Sequence, residues 1–329
     1  MTVELLNEST VTAYLKTRKV FTPSADITVE ILSGGVSNVV LAVSGEGKNL
    51  VFKQALPELK VASKWSVEQR RALVEARAIE VLHELTPLHV PTLYDVDPER
   101  FSLLIERAPQ GVTNWKEDLL AGNIRHEVAQ DLGRILGIWH TQTSQRPKIL
   151  KEFVEDSLFE QLRITPFYRS LIEKHRALAE RIKGLIDELE GDKSALVHGD
   201  FSPKNILVED DRKAIVLDFE VAHTGNPVFD LAFILGHLMC KQEFFTDPQQ
   251  KSSLAVCAKE FIESYESVLG RIAPHTFTWH AATIALARVD GVSLVHYLNT
   301  QAQESLRNRA INLLSRATPP TLSEVFLIP

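Results

Sequence analysis

The chain contains little cysteine and no long apolar run. Its two cysteines, Cys240 and Cys257, both stand among apolar residues with helical spacing, so we expect buried reduced thiols rather than a disulfide or a metal site. No apolar run approaches the roughly 18 residues of a membrane-spanning helix, and no membrane partner is expected. The stretch MTVELLNEST lacks the basic and apolar regions of a signal peptide, which favours a cytoplasmic protein.

Basic residues are also in deficit. The 36 Lys and Arg against 43 Asp and Glu give a formal net charge of −7, which argues against a nucleic-acid partner because such proteins are usually basic. An acidic protein would, in turn, suit a cationic small-molecule partner. The chain has 329 residues and 44% hydrophobic content, enough for a sizeable core and for two domains or two lobes.

The first third of the chain alternates short apolar runs with turns, as is typical of strands. The segments ITVEIL, NVVLAV and NLVFKQA are rich in Val, Ile and Leu, and TLYDV and FSLLIE predict a further hairpin around DPER. A helix is predicted after the third strand, because Ser66 and Gln69 have capping-box spacing and apolar residues recur at helical intervals from Leu73 to Leu82. The sequence therefore predicts a five-stranded antiparallel sheet with one helix.

Near Ala108–Gly111 the apolar period changes from that of strands to that of helices. Apolar residues of the segment 124–143 share one helical face, and further helical patterns occur around 170–190, 228–241, 249–269, 276–298 and 301–316. We therefore predict an α+β fold of two lobes. Residues 1–108 form a small lobe with an antiparallel sheet and one helix, and residues 109–329 form a larger, mostly helical lobe.

One stretch, LVHGDFSPKNILVEDDRKAIVLDFE at residues 196–220, places acidic and amide side chains at the ends of two apolar runs. Asp200 and Asn205 precede the first run, and Asp218 and Glu220 follow the second. Each of these residues is by itself typical of a turn or cap, but together their spacing favours a catalytic site. Residues two apart on an extended chain face the same side, so Asp218 and Glu220 could reach one metal pair.

HGDFSPKN followed by VLDFE resembles the catalytic core of the aminoglycoside phosphotransferase and choline kinase superfamily, the small-molecule branch of the protein-kinase-like fold. LSGGVSN, WKEDLLAGN and ARVDG make the chain most similar to the methylthioribose-kinase-like group. The resemblance covers residues 27 to 300 and implies phosphoryl transfer from ATP with Mg²⁺. It implies that Asp200 is the catalytic base and that Asn205, Asp218 and Glu220 hold the metal through oxygen atoms.

The nucleotide-binding residues are expected in the first lobe. Lys53 lies in an apolar strand, where its charge needs a partner; Glu75 is the natural one, with Glu68 and Glu80 as alternatives. The resemblance favours Glu75 and implies that Lys53 holds the α- and β-phosphates. A loop with room for phosphate oxygens and a hinge for the adenine complete the predicted nucleotide contacts, which are Ser33, Gly34, Gly35, Ser37, Asn38, Glu106, Arg107 and Ala108.

The acceptor is expected to be a hydroxyl of a small molecule such as a sugar, an amino alcohol or an aminoglycoside. Only eleven residues separate Asp218 from Asp230, too few for the activation segment of a protein kinase. Arg288 and Asp290 are candidate substrate contacts, or alternatively an ion pair at a solvated helix end. His223 and His237 are further candidates for the acceptor pocket.

Two residues near the base have alternative interpretations. His198 is either a buttress of the catalytic loop, which we favour, or a catalytic participant, and Asp230 either hydrogen-bonds that loop or caps a helix. The leading function is an ATP-dependent small-molecule kinase that acts as a monomer or homodimer. The alternative is a nucleotide-binding pseudokinase with a regulatory or scaffold role, which is disfavoured because the lysine, the base and the metal acids are all present.

Overall fold

The computed structural model describes residues 4–32, 37–58, 67–209, 213–270 and 273–326. The chain divides into two compact units. The first, called the sheet unit below, comprises Met1–Gln110 together with Asp218–Glu220. The second, called the helical unit, comprises Gly111–Leu217 and Val221–Pro329.

The sheet unit is built on five antiparallel strands in the order β1-β2-β3-β5-β4. Its elements are α1 Val11–Thr17, β1 Thr28–Ile31, β2 Asn38–Gly45, β3 Lys48–Ala55, α2 Arg71–Leu85, β4 Leu93–Asp97 and β5 Ser102–Glu106. The predicted five-stranded sheet with a helix after the third strand is therefore confirmed. The side chains of β3 alternate between its two faces, so Phe52 packs in the core with α1 while Lys53 points to the opposite face.

Helix α1 was not predicted. It buries Val11 and Leu15 against a sheet face that includes Leu41, Val43 and Leu50. Its seven residues make about two turns, too short a segment for a helical period to stand out from its neighbours. Burial of these apolar side chains, rather than local propensity, holds this helix in place.

Helix α2 begins later than the capping box predicts. The first helical residue is Arg71, and the preceding Arg70 makes no side-chain cap. Gln69 instead donates its side-chain amide to the carbonyl of Ala55 at 2.7 Å, which ties the start of the helix to the end of β3. Ser66, the other member of the predicted box, lies outside the described residues.

The helical unit carries two small antiparallel sheets among its helices, β6-β8-β9 and β10-β7. Its strands are β6 Thr113–Asn114, β7 Ala195–Val197, β8 Ile206–Val208, β9 Ala214–Val216 and β10 His223–Gly225. Its helices are α3 Trp115–Leu120, α4 His126–Ser144, α5 Pro147–Glu152, α6 Ser157–Phe159, α7 Ser170–Lys174, α8 Ala179–Gly191, α9 Val228–Phe244, α10 Pro248–Leu269, α11 Phe277–Asp290, α12 Thr300–Leu314 and α13 Leu322–Phe326.

Three helical segments differ from the prediction. The helix predicted around 170–190 is divided into α7 and α8, which are separated by the residues 175–178. The helix predicted at 276–298 ends at Asp290, where Gly291 leaves the helix with an extended backbone. A Cβ at Gly291 would lie 2.6 Å from the carbonyl oxygen of Ala287, so a larger residue would not fit that turn. Between α6 and α7 the chain forms a π-helix, Glu160–Arg169, which contains Pro166 and was not predicted because proline interrupts a regular helical pattern.

The core of the helical unit is densely packed around α4, α9, α10 and α11. Trp115, Trp139 and Trp279 are buried, as expected of core aromatic residues. Cys240 and Cys257 are free and buried, which confirms the prediction of reduced thiols. Within the described part of the chain, no helix combines the length and hydropathy required to cross a membrane.

Candidate active site

The loop that carries Asp200 follows β7 and is held by a buried carboxylate. Asp230, near the start of α9, accepts hydrogen bonds from the backbone N–H groups of His198 at 2.7 Å and Gly199 at 2.9 Å. The same carboxylate lies 3.2 Å from Nε2 of His140. Asp230 therefore fixes the loop, as one of its two interpretations predicted. Gly199 has a φ of +75°, and a Cβ there would lie 2.6 Å from the carbonyl oxygen of Val221.

His198 is a buttress of this loop. Its Nδ1 accepts a hydrogen bond from the backbone N–H of Asp200 at 3.1 Å, so Nε2 carries the proton and donates to the carbonyl of Leu217 at 3.1 Å. The side chain is buried. Because both ring nitrogens are engaged by backbone groups, the ring positions Asp200 and is not placed to exchange a proton with a substrate.

Three polar groups surround the Asp200 carboxylate, which is 4% exposed. Its Oδ2 accepts a hydrogen bond from the amide nitrogen of Asn205 at 2.9 Å and lies 3.1 Å from Arg163 and 2.9 Å from Lys204. Burial alone would raise the pKa of Asp200, but Arg163 and Lys204 outweigh it and lower the pKa to about 2. The carboxylate is therefore charged at neutral pH, and the amide oxygen of Asn205 faces away from it.

Sequence reasoning missed the roles of Arg163 and Lys204. Lys204 stands in the quoted motif, four residues after Asp200, a spacing that could have signalled the contact. Arg163 gives no such signal, because it lies in the π-helix and reaches the loop only through the fold. Its Nε donates to the carbonyl of Gly199 at 2.5 Å, so it supports the loop as well as the carboxylate.

In the sheet unit, Lys53 and Glu75 form a buried ion pair. Their Nζ and Oε1 atoms are 2.5 Å apart, and the side chains are 10% and 1% exposed. The alternative partners are excluded because Glu68 and Glu80 are exposed and lie beside Arg70 and Arg77. The structure therefore pairs Lys53 with Glu75.

Asp218 and Glu220 also belong to the sheet unit. Asp218 lies 3.4 Å from the Lys53 ammonium, and Glu220 lies 3.2 Å from Nε of Arg71. The reasoning that placed both acids on one side of an extended strand is wrong, because Asp218 has a φ of +69° and the chain turns there. Asn38 donates its side-chain amide to Glu220 at 3.3 Å, and its own buried Oδ1 has no partner among the described residues.

Three carboxylates share two cations in this cluster. Burial would lower the pKa of Lys53, but Glu75 and Asp218 raise it well above its ordinary value. Burial raises the pKa of Glu75 and that of Glu220, and Asp218 adds to both shifts. The group therefore holds one more carboxyl than it has cations, and the raised pKa values show that its acids lack positive charge, which suits the binding of a further cation. Arg71 was not predicted, although it stands four residues before Glu75 and thus on the same helical face.

The remaining predicted nucleotide contacts fall on the loop before β2 and on the end of β5. Ser33, Gly34 and Gly35 lie outside the described residues, whereas Ser37 is buried, and its carbonyl accepts a hydrogen bond from Arg71 at 2.5 Å. The other three stand at the end of β5 and in the two positions after it. The backbone N–H groups of Glu106 and Arg107 donate to Thr92 and Asn49, and that of Ala108 has no hydrogen bond within the described residues.

The predicted acceptor contacts occupy different environments in the helical unit. His223 is buried and stacks on Phe159 at 4.0 Å between centroids, and burial lowers its pKa to about 4, so it is a core residue. Asp290 accepts two hydrogen bonds from Arg307 at 2.9 Å each and lies 3.0 Å from His175. Its carboxylate thus belongs to a structural ion-pair network and does not pair with Arg288.

Arg288 and His237 lie elsewhere, beside other cationic side chains. The Arg288 guanidinium donates to Ser293 at 2.6 Å, and its buried Nε has no partner among the described residues. Burial lowers the pKa of His237 well below its ordinary value, and Arg288 lowers it further. Both residues therefore remain available to a ligand of this unit.

The predicted metal ligands offer only oxygen atoms. Asp218 and Glu220 supply carboxylates and Asn205 supplies an amide, a donor set that suits a hard cation such as Mg²⁺ and not zinc. The carboxylate excess around Lys53 fits such an ion. Among the described residues no three or more His, Cys, Asp or Glu side chains form a group that could hold a metal by themselves.

Comparisons with known proteins identify the family of the chain. A model of the phosphotransferase enzyme family matches residues 28–275. A methylthioribose kinase from Bacillus mycoides (strain KBAB4) is 26% identical over 71% of this chain, and the match spans 66% of that relative's length.

Solved structures of similar fold include two kinases of antibiotics. A macrolide 2′-phosphotransferase from Brachybacterium faecium is 20% identical, with a TM-score of 0.56 over 94% of this chain and 99% of its own. An amicoumacin kinase, solved with AMP-PNP, Ca²⁺ and its antibiotic, is 13% identical, with a TM-score of 0.58 over 95% and 96%. The predicted two-lobed α+β, kinase-like fold is thereby confirmed, and the chain belongs to the phosphotransferase enzyme family.

Proposed function

We propose that this protein is an ATP-dependent kinase that transfers the γ-phosphoryl group to a hydroxyl of a small molecule. The observation that carries the proposal is the Lys53 ammonium, held 2.5 Å from Glu75 and 3.4 Å from Asp218 on a buried strand. A fixed cation beside a carboxylate that is itself partly exposed is what the phosphates and the metal of a nucleotide require.

The sheet unit supplies the nucleotide contacts in this proposal. Glu75 holds the Lys53 ammonium in place, so that it can bind the α- and β-phosphates. The backbone N–H of Ala108 donates to the adenine in this proposal, which is supported by its having no partner among the described residues. Ser37 and Asn38, at the start of β2, lie next to the predicted phosphate loop, and the orphaned Oδ1 of Asn38 is a polar atom that a ligand or its water would satisfy.

Asn205, Asp218 and Glu220 are the proposed metal ligands. When bound, Mg²⁺ neutralises charge on the phosphate oxygens. Asp218 is the principal ligand, since its side chain is 25% exposed whereas that of Glu220 is 11% exposed and paired with Arg71. The amide nitrogen of Asn205 donates a hydrogen bond to Asp200, which leaves the amide oxygen free to bind the metal. The same hydrogen bond holds the proposed base and the proposed metal ligand at a fixed distance from each other.

Asp200 is the proposed catalytic base, and its low pKa defines what it can do. A carboxylate with a pKa of about 2 is a weak base, so it cannot deprotonate a hydroxyl before phosphoryl transfer begins. It accepts a hydrogen bond from the hydroxyl, orients the oxygen for in-line attack, and takes the proton as the new bond forms. This sequence is consistent with a loose transition state, in which the nucleophile needs little prior activation.

The test is ATP turnover with Mg²⁺ across a panel of hydroxylated compounds, read by a mass gain of one phosphoryl group. Asp200→Asn keeps the hydrogen bonds of the loop but cannot accept the proton, and we expect it to lower kcat by about 10²-fold or more with little change in nucleotide affinity. Asp187→Asn on the exposed face of α8 is the matched control and should leave kcat unchanged.

The result also separates the two candidate functions. Nucleotide binding without any product that depends on Asp200 would favour the pseudokinase with a regulatory or scaffold role. Equal turnover by wild type and Asp200→Asn would refute the assignment of the base.

A further inference from the structure

Four cationic side chains of the helical unit lie around His237. This set, called the cation cluster below, consists of Arg163 in the π-helix, Lys204 after the catalytic Asp200, Lys241 on α9 and Arg288 on α11. All four lower the pKa of His237, after burial as the first cause. The imidazole is therefore neutral at physiological pH and adds no negative charge to the cluster.

Aromatic contacts connect the members of the cluster. Phe233, His237 and Lys241 follow one another at intervals of four residues, so they share one face of α9. The Arg163 guanidinium lies 5.4 Å from the Phe233 ring centroid, and the Phe233 ring lies 5.1 Å from His237. The Arg288 guanidinium lies 5.8 Å from the ring of Phe167, which in turn contacts Phe233 at 5.3 Å. Arg163 and Arg288 thus lie against one apolar wall made of Phe233 and Phe167.

The charges of the cluster are not balanced by the protein. Asp200 is the one carboxylate among the described residues that forms ion pairs with them, and it contacts only Arg163 and Lys204. Lys241 is 1% exposed and forms no ion pair with any described carboxylate. Arg288 bonds Ser293 alone, while its own Nε remains without a partner there.

Among the cluster residues, Lys241 shows the effect of burial on a positive charge most clearly. Burial and Arg288 together lower its pKa to about 7, and from α3 the opposed charges of Lys116 and Glu117 act on it in opposite directions. Its ammonium lies 5.6 Å from the Tyr297 ring, whose buried hydroxyl also has no partner in the described chain. The Nε of Arg288 and the hydroxyl of Tyr297 are therefore two buried donors without a partner among the described residues, and the Lys241 ammonium lies beside the Tyr297 ring.

An uncompensated charge in the interior of a protein is costly, so buried cationic hydrogen-bond donors are expected where a bound ligand supplies the missing negative charge and acceptors. We propose that the cation cluster binds an anionic group of the acceptor, so that the substrate is a hydroxylated carboxylic acid or a phosphorylated polyol and not a cation. The proposal rests on the proposed function and adds that the phosphate acceptor of this kinase is negatively charged. It reverses the expectation from the net charge of −7, which would suit a cationic partner.

Two parts of the cluster have distinct roles. Arg163 and Lys204 contact Asp200 and therefore lie where the hydroxyl and the transferred phosphoryl group react. Lys241 and Arg288 make no ion pair with Asp200, and they bind the anionic end of the acceptor at a distance from its reacting hydroxyl. The terminal phosphate of the nucleotide is an alternative source of the same anionic chemistry, so the test must separate the two.

Binding of matched compounds tests the proposal directly. Calorimetry is performed on the full chain saturated with Mg²⁺ and AMP-PNP, with glycerol 3-phosphate against glycerol and gluconate against sorbitol. We expect at least one anion to bind about ten-fold or more tightly than its neutral partner. Lys241→Met should remove most of that difference, while Lys183→Met on the surface of α8, whose lysine pairs with Glu180, should retain it.

Neutral or cationic compounds that bind as tightly as the anions would overturn the proposal. A preference for anions that persists in each of two single variants, Lys241→Met and Arg288→Met, would also overturn it. The second variant keeps the test available should the first fail to fold. The two anion types distinguish a carboxylate from a phosphate site. Absence of any anion preference across both pairs also overturns it.

Turnover separates this inference from the proposed function. Asp200-dependent phosphorylation of a neutral or cationic compound, with a KM unchanged by Lys241→Met, leaves the kinase assignment intact and refutes the anion site. A selective anion site without phosphorylation refutes the kinase assignment alone. If Lys241→Met raises the KM for ATP and not that for the acceptor, the cluster serves the nucleotide and the proposal is wrong.

Discussion

Replacing Lys53 with methionine tests the charge balance of the sheet unit. Methionine has a similar length, so the substitution removes the ammonium with little change in volume. The pair is almost fully buried, with side-chain exposures of 10% and 1%, and loss of one partner from a buried pair typically costs about 3–5 kcal/mol. We therefore expect Lys53→Met to lower the free energy of unfolding of the sheet unit by that amount at pH 8.

The double variant separates the cost of an unpaired charge from the value of the pair. In Lys53→Met/Glu75→Gln neither side chain is charged, so we expect most of the stability to return, to within about 1–2 kcal/mol of wild type. Nucleotide affinity should not return, because the phosphates have lost their cation. Recovery of stability without recovery of nucleotide affinity in the double variant is expected only if the Lys53 ammonium both pairs with Glu75 and binds the phosphates.

The pH dependence gives an independent check. Burial, Asp218 and Glu220 raise the pKa of Glu75, and removal of Lys53 raises it further. A carboxyl whose folded pKa exceeds its unfolded pKa of about 4.3 binds more protons when folded, so stability falls as pH rises from that value through the folded pKa. Lys53→Met should therefore be less destabilised at pH 5 than at pH 8.

Urea unfolding followed by far-ultraviolet circular dichroism measures the stability of wild type and the two variants at both pH values, and calorimetry measures nucleotide binding. Arg77→Met, which breaks an exposed pair with Glu80, is the control and should change stability by less than about 1 kcal/mol. A destabilisation independent of pH, or a double variant as unstable as the single one, would refute the buried charge pair.

Three further predictions concern the helical unit. Asp230→Ala should leave the backbone N–H groups of the catalytic loop unpaired, lower stability by about 2–4 kcal/mol and lower kcat even at saturating substrate, as measured by urea unfolding and steady-state kinetics. Gly199→Ala should lower stability by about 1–3 kcal/mol and should also lower kcat, because the residue has a φ of +75° and a Cβ there would clash with Val221. Normal activity of this variant would contradict the structure of the loop. Asp290→Asn should cost about 1–2 kcal/mol through the lost pair with Arg307 and leave kcat unchanged, so a selective loss of activity would restore Asp290 as a substrate contact.

The fold could be predicted where the apolar pattern is local. The strands β2 and β3 and the helix α4 each show a period long enough to identify their type, and the hairpin of β8 and β9 lies between two recognisable sets of polar residues. Helix α1 and the π-helix could not be predicted in this way. The first makes about two turns and depends on burial against the sheet, and the second contains Pro166 within an irregular helix.

The sequence by itself predicted the proposed site residues, because the proposed base, the amide and the two acids stand with motif spacing within about twenty residues of one another in the chain. It also determined the family to which the chain belongs. Only the tertiary structure decided which cationic side chains pair with these acids. Arg71 reaches Glu220 across 149 positions and Arg163 reaches Asp200 across 37, and no local pattern records such contacts. The same reason hid the cation cluster, since its charge imbalance arises from burial and from separate helices brought together.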